Sequence, residues 1–235
     1  MNSVVSGYER LIVALDHPSR DQALAQVDAL GGLVSRYKVG LELYLAEGAE
    51  IVRALGQRRK RVFLDLKMHD IPETVGRATK VVAGMNVDLM TVHASGGKAM
   101  MRAAVESAGT HTRVLAVTVL TSLDLADLER DGSRAQSTEE LVVKRALLAQ
   151  ESGCAGVIAS PLEAAAVRHA VGKSFLIVTP GVRLASGESA DDQKRIATPQ
   201  AARAAGADAV VVGRPIRDAE NPAEEVKKIV AELES

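Results

Sequence analysis

Short apolar runs alternate with longer amphipathic segments along the whole 235-residue chain. The short runs have the length and composition of strands buried on both faces, and the longer segments have the apolar spacing of helices. The predicted strands are residues 10–15, 36–40, 62–67, 89–93, 114–120, 155–159, 175–179 and 209–213. The predicted helices are residues 21–30, 41–55, 73–85, 98–108, 139–152, 162–170, 200–205 and 222–233.

Eight strand–helix repeats in a chain of this length predict an α/β fold, a (β/α)8 TIM barrel. An open doubly wound sheet could use the same alternation, but eight even repeats favour the barrel. No Pro/Ser-rich linker or change of composition divides the chain, so we expect residues 1–235 to form a single domain.

The stretch 62–74, which reads VFLDLKMHDIPET, combines a strand pattern with several charges. Its alternation places Asp65 and Lys67 on the same face, where opposite charges are costly unless they pair or serve chemistry. Asp70 follows where the strand should give way to a helix. One interpretation makes Asp70 the N-cap of that helix, with Glu73 completing a capping box. That interpretation leaves Asp65 and Lys67 unexplained.

Polar side chains also stand at the ends of several other predicted strands. They are Asp16, Lys38, His93, Thr121 and Arg214. Because barrel enzymes build their sites at the C-terminal ends of the strands, these residues are candidates for one shared site. Asp16 could instead cap the following helix, although Pro18 or Ser19 could equally mark its start. For His93, a packed position at the strand end is the favoured interpretation.

The last two predicted strands end in residues suited to binding phosphate. Gly213, Arg214 and Pro215 follow strand eight, and residues 179–183, which read TPGVR, follow strand seven. Glycine allows a close approach of the backbone, arginine offers a fork of donors, and proline can open a short helix. These residues could also form ordinary loops with solvated arginines, but two consecutive strand ends of this kind favour a phosphate site. The polar segment between them, residues 184–195, is predicted to be a lid.

At residues 65–74 the pattern D-x-K-x-x-D-I-P-x-T resembles the signature of the orotidine 5'-phosphate decarboxylase family. D-x-K-x-x-D alone is shared with sugar-phosphate decarboxylases and synthases of the wider superfamily, and the added I-P-x-T indicates the orotidylate branch. The resemblance extends from Asp16 to Arg214. It implies cofactor-independent decarboxylation of orotidine 5'-phosphate to UMP and CO₂, the last step of de novo pyrimidine biosynthesis.

The resemblance also implies roles for individual residues. The catalytic group would be Lys67, as the cation that stabilises the carbanion and then delivers a proton, together with Asp65 and Asp70. Family members are homodimers in which the Asp70 segment crosses into the partner's site. The implied substrate-binding residues are Asp16 and Lys38 at the ribose, Thr121 at the pyrimidine, Ile71 and Thr74 in the crossing segment, and Pro180, Arg183, Gln193, Gly213 and Arg214 at the phosphate.

The composition of the chain argues against several classes of partner, cross-link and metal site. A formal net charge of −1 gives no support for nucleic acid or an anionic membrane as partner. The single cysteine, Cys154, excludes an intrachain disulfide and a Cys-based zinc cluster, and we expect it to be buried and inert. The histidines have no metal-ligand spacing, so no metal is predicted, and no cofactor is predicted either. Without a signal-peptide pattern or a membrane-length apolar run, the chain is expected to be cytoplasmic.

Two other functions remain open at this point. The first is a sugar-phosphate decarboxylase or hexulose-phosphate synthase, magnesium enzymes that resemble this pattern but place a carboxylate near the position of Lys38. Lys38, Thr121 and Gln193 argue against it. The second is a catalytically silent barrel that binds a nucleotide or sugar phosphate. Such a protein would keep Gly213 and Arg214 and would not need the charged residues at 65–70.

Overall fold

The computed structural model describes residues 6–130, 132–184 and 197–235. Within these ranges, eight parallel strands form a closed barrel in sequence order, since β1 pairs with both β2 and β8. The strands are β1 Leu11–Ala14, β2 Arg36–Gly40, β3 Arg61–Met68, β4 Leu89–His93, β5 Arg113–Val117, β6 Gly156–Ile158, β7 Leu176–Thr179 and β8 Ala209–Val212. The predicted (β/α)8 barrel is therefore confirmed, and the predicted strand 114–120 ends early, at Val117.

Helices follow the strands and surround the barrel. Those in the described ranges are α1 Gly7–Arg10, α2 Arg20–Leu30, α3 Leu41–Glu47, α4 Ala49–Gln57, α5 Pro72–Ala83, α6 Gly97–Ala108, α7 Leu125–Arg130, α8 Thr138–Glu151, α9 Ala164–Val171, α10 Pro199–Ala204, α11 Arg214–Arg217 and α12 Pro222–Glu234. Short 3₁₀ turns occupy Gly31–Leu33 and Ala94–Gly96. The apolar pattern missed α1 and α7, which have only four and six residues in which to show a helical period, although the equally short α10 was predicted as residues 200–205.

The single helix predicted over residues 41–55 was wrong, because the structure has two helices there. Gly48 separates α3 from α4 with φ 60° and ψ −146°, a conformation that is essentially restricted to glycine. The apolar spacing continues through Gly48, so the pattern alone gave no sign of the break.

The alternative interpretation of Asp70 as the N-cap of a capping box was also wrong. α5 begins at Pro72, and the N-cap is Ile71, which makes no side-chain capping bond. A residue that precedes proline is disfavoured in the helical region, so Ile71 stays extended and proline takes the first helical position. Glu73 consequently stands one position too early for a capping box, and its carboxylate pairs with Arg77 instead.

The strands contribute to two apolar layers. Side chains on one face of each strand fill the barrel interior, among them Ile12, Phe63, Leu115, Val178 and Val211. The alternate side chains pack outward against the helices in a larger core. On β3 this alternation agrees with the period of two in the sequence, which turns Phe63 and Asp65 inward.

An ion-pair cluster ties together the N-terminal ends of several strands. The carboxylate of Asp88, just before β4, lies 3.0 Å from Arg36, 3.0 Å from Arg61 and 2.9 Å from Arg113. These arginines are the first residues of β2, β3 and β5.

Among the described helices, none is long and apolar enough to cross a membrane.

Candidate active site

A cavity of about 290 Å³ opens at the C-terminal ends of the strands. Its floor is apolar and consists of interior side chains such as Phe63, Val117 and Ile158. An apolar floor with a few convergent polar groups is typical of a small-molecule site. The candidate residues that line the cavity are Asp16, Lys38, Asp65, Lys67, Thr121, Pro180, Arg183, Gly213 and Arg214.

Four of these residues form a line of alternating charges across β1, β2 and β3. Lys38 Nζ donates to Asp16 Oδ1 at 3.0 Å and lies 4.0 Å from Asp65 Oδ2. Lys67 Nζ donates to the same Asp65 oxygen at 2.8 Å. The side chains of Lys38 and Asp65 are each only 12% exposed, whereas that of Lys67 is 36% exposed. Buried charges need such partners. Of the two lysines, Lys67 has the greater access to the cavity.

Two glycines make room for the Lys38–Asp16 pair. A Cβ atom on Gly40 would lie 2.8 Å from Lys38 Nζ, and one on Gly213 would lie 3.0 Å from Asp16 Oδ2. The helix after β1 begins at Arg20 with Ser19 as its N-cap, so Asp16 is not used as the cap. The carboxylate of Asp16 is therefore available to the cavity and to Lys38.

Lys67 has an unusual backbone conformation. Its φ is 50°, in the left-handed region, and the pairing of β3 with β4 shifts register around it. The side chain of Thr91, on β4, bonds both to the Lys67 backbone and to Asp65. Thr91 was not among the residues that the sequence pattern indicated for the site. Its only signal was its position, two residues before His93 on a strand whose alternate residues face the interior.

The phosphate candidates lie along the strand ends of β7 and β8. Pro180, Gly181 and Arg183 follow β7, while Gly213 and Arg214 follow β8, and all of them line the same cavity. Arg214 opens the short helix α11 with Pro215 behind it, as the sequence suggested for that proline. Two guanidinium groups and two glycines around one cavity suit a phosphate group.

Several candidates lie elsewhere. Asp70, Ile71 and Thr74 do not line the cavity of their own chain. The Asp70 carboxylate accepts the Ile71 N–H at 2.7 Å, and the Ile71 side chain is 65% exposed. Among the described residues, no ion pair joins Lys67 to Asp70 within one chain, and the line of charges ends at Lys67. Gln193 and most of the predicted lid lie outside the described residues.

His93 packs beside the site without lining it. Its ring centroid lies 5.4 Å from that of His69. Burial lowers the pKa of His93, and the neighbouring His69 and Lys67 lower it further. A histidine that resists protonation and does not reach the cavity has a packing role at the strand end.

Cys154 and the remaining acidic and histidine groups form no further centre in the described ranges. Cys154 is buried, and burial raises the pKa of its thiol to about 12, so it is inert at neutral pH. No group of three or more His, Cys, Asp or Glu side chains that could hold a metal occurs in that part of the chain.

The chain is similar to known proteins over nearly its whole length. Residues 9–229 match the model of the family described as "Orotidine 5'-phosphate decarboxylase / HUMPS family". An orotidine 5'-phosphate decarboxylase of Syntrophomonas wolfei is 48% identical, with 96% of this chain and 98% of that protein covered. One of Anaeromyxobacter is 51% identical with the same coverage. The crystal structure of orotidine 5'-phosphate decarboxylase from Lactobacillus acidophilus superposes with a TM-score of 0.85 at 37% identity, covering 96% of this chain and 99% of that one.

Proposed function

We propose, from the premise that this chain belongs to the orotidine 5'-phosphate decarboxylase / HUMPS family, a specific assignment of residues to its reaction. The protein decarboxylates orotidine 5'-phosphate to UMP and CO₂ in pyrimidine biosynthesis, the activity named for its relatives. The observation that carries the assignment is the Asp65–Lys67 pair at 2.8 Å, which places an ammonium group over an apolar floor.

The reaction places a demand on the site that Lys67 can meet. Breaking the bond between C6 and the carboxylate leaves the electron pair on C6 of the pyrimidine, where no ordinary electron sink is available. An ammonium beside C6 stabilises that pair relative to the starting carboxylate and then donates its proton to C6. The neutral amine afterwards recovers a proton from solvent.

Asp65 has two effects in this scheme. It fixes the Lys67 ammonium at 2.8 Å, and its negative charge lies near the position that the substrate carboxylate must occupy. Crowding of two carboxylates raises the energy of the bound substrate, and departure of neutral CO₂ relieves it. Binding of the phosphate offsets the crowding, because interactions with a remote group can drive strain at the reacting centre.

The rest of the cavity suits the other parts of the substrate. Arg183 and Arg214, with Pro180 and Gly213, would hold the phosphate, and Gln193 would contact it from the lid. Asp16 and Lys38 would bind the ribose hydroxyls, since their polar atoms lie together at the ends of β1 and β2. Thr121 borders the cavity after β5 and would hydrogen-bond the pyrimidine.

A homodimer belongs to the same proposal. Asp70, Ile71 and Thr74 do not reach their own cavity, as a segment that completes a partner's site would not. Four large apolar side chains on or beside α3 and α5 are exposed: Leu41 by 56%, Leu45 by 75%, Ile71 by 65% and Val81 by 62%. Apolar side chains at this exposure suit an interface between copies.

We also propose one domain over all 235 residues and a cytoplasmic location, which fits a role in nucleotide synthesis.

The related sugar-phosphate function is less well supported, although the family description includes it. Lys38 stands where those magnesium enzymes were expected to place a carboxylate, and its ammonium donates to Asp16 and lies close to Asp65. A second ammonium, that of Lys67, occupies the other side of Asp65. The positive charge around Asp65 is thus supplied by the ammonium groups of Lys38 and Lys67, where the related enzymes would use magnesium.

Loss of the ultraviolet absorbance of orotidine 5'-phosphate tests the function directly. The purified protein should consume the orotate chromophore at the same rate with and without EDTA. Chelator-sensitive turnover would overturn the metal-free scheme. No turnover by folded protein would overturn the decarboxylase assignment, and activity on sugar phosphates with added magnesium would then favour the related function.

A further inference from the structure

The backbone of β3 leaves the regular strand conformation around Lys67. The register passes from Leu64 opposite Met90 to Met68 opposite Val92, so β3 advances four residues while β4 advances two. Lys67 lies within this irregularity with φ 50°. A left-handed conformation is unfavourable for a residue other than glycine, so neighbouring contacts must hold it in place.

The side chain of Thr91 provides two of those contacts. Its hydroxyl oxygen accepts the Lys67 backbone N–H at 2.9 Å and donates its single proton to Asp65 Oδ1 at 2.9 Å. The directions are fixed, because an amide N–H only donates and an ionised carboxylate only accepts. Thr91 is fully buried, with no exposed surface, so water does not compete for either bond.

Thr91 therefore acts on both members of the Asp65–Lys67 pair. It holds the backbone from which the Lys67 side chain extends, and it holds one oxygen of Asp65 while Lys67 Nζ donates to the other at 2.8 Å. A carboxylate bonded at both oxygens cannot rotate freely. The position of the ammonium thus depends on the Thr91 hydroxyl through a backbone contact and a side-chain contact.

We propose that Thr91 is a positioning residue for the decarboxylation, a role that rests on the proposed function of Lys67. Thr91 does not line the cavity, and it acts through Asp65 and Lys67. Its inward-facing neighbours on β4 and β5, Leu89 and Leu115, are apolar. Valine has the same shape and would satisfy that packing, so the hydroxyl is accounted for by its two polar partners.

Thr91→Val tests this role, because it removes the hydroxyl and keeps the volume. We expect kcat to fall by about 10- to 100-fold, the effect of losing a hydrogen bond to a charged group in the transition state. The Kd of UMP, which lacks the reacting carboxylate, should change by less than about threefold. Thr91→Ser keeps the hydroxyl and should retain most of the wild-type kcat.

Thr112→Val is the matched control. Thr112 is also buried, and its hydroxyl donates to the Val87 carbonyl at 2.7 Å, at the opposite end of the barrel. This variant loses a buried hydroxyl bond without touching Asp65 or Lys67, and its kcat should match the wild type. Thr91→Ala, which cannot overfill the interior, should reproduce the kcat defect of Thr91→Val.

The proposal would be overturned by a Thr91→Val kcat close to that of the wild type. It would also be overturned if Thr91→Ser or Thr112→Val lost as much kcat as Thr91→Val. A fourth contrary result would be failure of both Thr91→Val and Thr91→Ala to fold, as measured by circular dichroism. The last would assign the hydroxyl to stability alone. A wild-type protein without turnover would instead count against the proposed function, so the two failures are distinguishable.

Discussion

At the scale of single residues, the site depends on charges that are buried only because each has a partner. Asp65 is 12% exposed and contacts two ammonium groups and one hydroxyl. Removing one member of such a set leaves an uncompensated charge in a medium that solvates it poorly. Substitutions here should consequently affect the chemistry and spare phosphate binding, which the proposed function assigns to residues across the cavity.

Lys67→Ala should abolish turnover and preserve product binding. Without the ammonium, neither the carbanion nor its protonation is assisted, and we expect kcat to fall by more than about 1000-fold. The Kd of UMP, measured by calorimetry, should change by less than about tenfold, because Arg183 and Arg214 are intact. Lys227→Ala, which breaks an exposed pair with Glu224, is the control and should leave both values unchanged. Parallel loss of binding and turnover would indicate a folding role for Lys67.

His93 gives a prediction about stability and pH. Its pKa in the folded protein is lowered from the usual histidine value of 6.5, first by burial and then by His69 and Lys67. The unfolded chain therefore binds more protons at this residue, and the folded state loses stability as the pH falls through 6.5 toward the lower folded pKa. Above pH 6.5 the contribution of His93 is fully present.

Urea unfolding at pH 7.5 and pH 5.5 would measure this effect. The wild-type free energy of unfolding should fall more between the two conditions than that of His93→Gln, which cannot titrate. Only the pH-dependent difference is compared, so a uniform cost of the substitution does not matter. An equally steep fall in the variant would show that His93 titrates normally in the folded protein.

At the scale of elements, the ends of helices are set by single backbone conformations. Gly48 ends α3 and caps α4 at φ 60° and ψ −146°, and Pro72 sets the start of α5 by holding Ile71 extended. Neither of these two helix boundaries interrupts the apolar pattern. The apolar period of a helix and its boundaries therefore have separate physical causes.

Gly48→Ala should lower the free energy of unfolding by about 1–3 kcal/mol, because alanine is strained in this region of φ and ψ. Gly56→Ala, within α4, is the matched substitution. A Cβ there meets nothing within 4 Å, so alanine should be neutral or stabilise by up to about 1 kcal/mol. Urea unfolding of both variants would check this. Similar costs at the two positions would contradict the role assigned to the Gly48 conformation.

At the scale of the whole molecule, the proposed dimer decides whether the site is complete. Asp70, Ile71 and Thr74 lie beside the barrel mouth but outside its cavity. If they complete the partner's site, each site takes Lys67 from one chain and Asp70 from the other. Mixing chains that lack different residues would then restore some sites.

Equal amounts of Lys67→Ala and Asp70→Ala chains, unfolded and refolded together, should recover about a quarter of wild-type activity. Half of the dimers would be mixed, and one of their two sites would hold both residues. Mixing Lys67→Ala with Asp65→Ala is the control and should recover nothing, because those two residues act within one chain. No recovery in the first mixture would count against shared sites.

Much of the fold was predictable because its signals are local. A period of two and a period of 3.6 each depend on neighbouring residues, and they located all eight strands in order. The gathering of Asp16, Lys38, Asp65, Lys67 and Arg214 followed from the rule that parallel strands of a barrel end at one mouth. The roles expected of Thr121 and Gln193 came from the family resemblance, and they remain predictions.

The sequence by itself thus determined the barrel, the order of its strands and the polar residues at its C-terminal mouth. Only the tertiary structure decided how those residues contact one another. Thr91 meets Asp65 across 26 residues of chain, and Gly213 makes room for Asp16 from the last strand. Such contacts depend on strand register and on the left-handed backbone conformation of Lys67, where long-range packing overrides local preference.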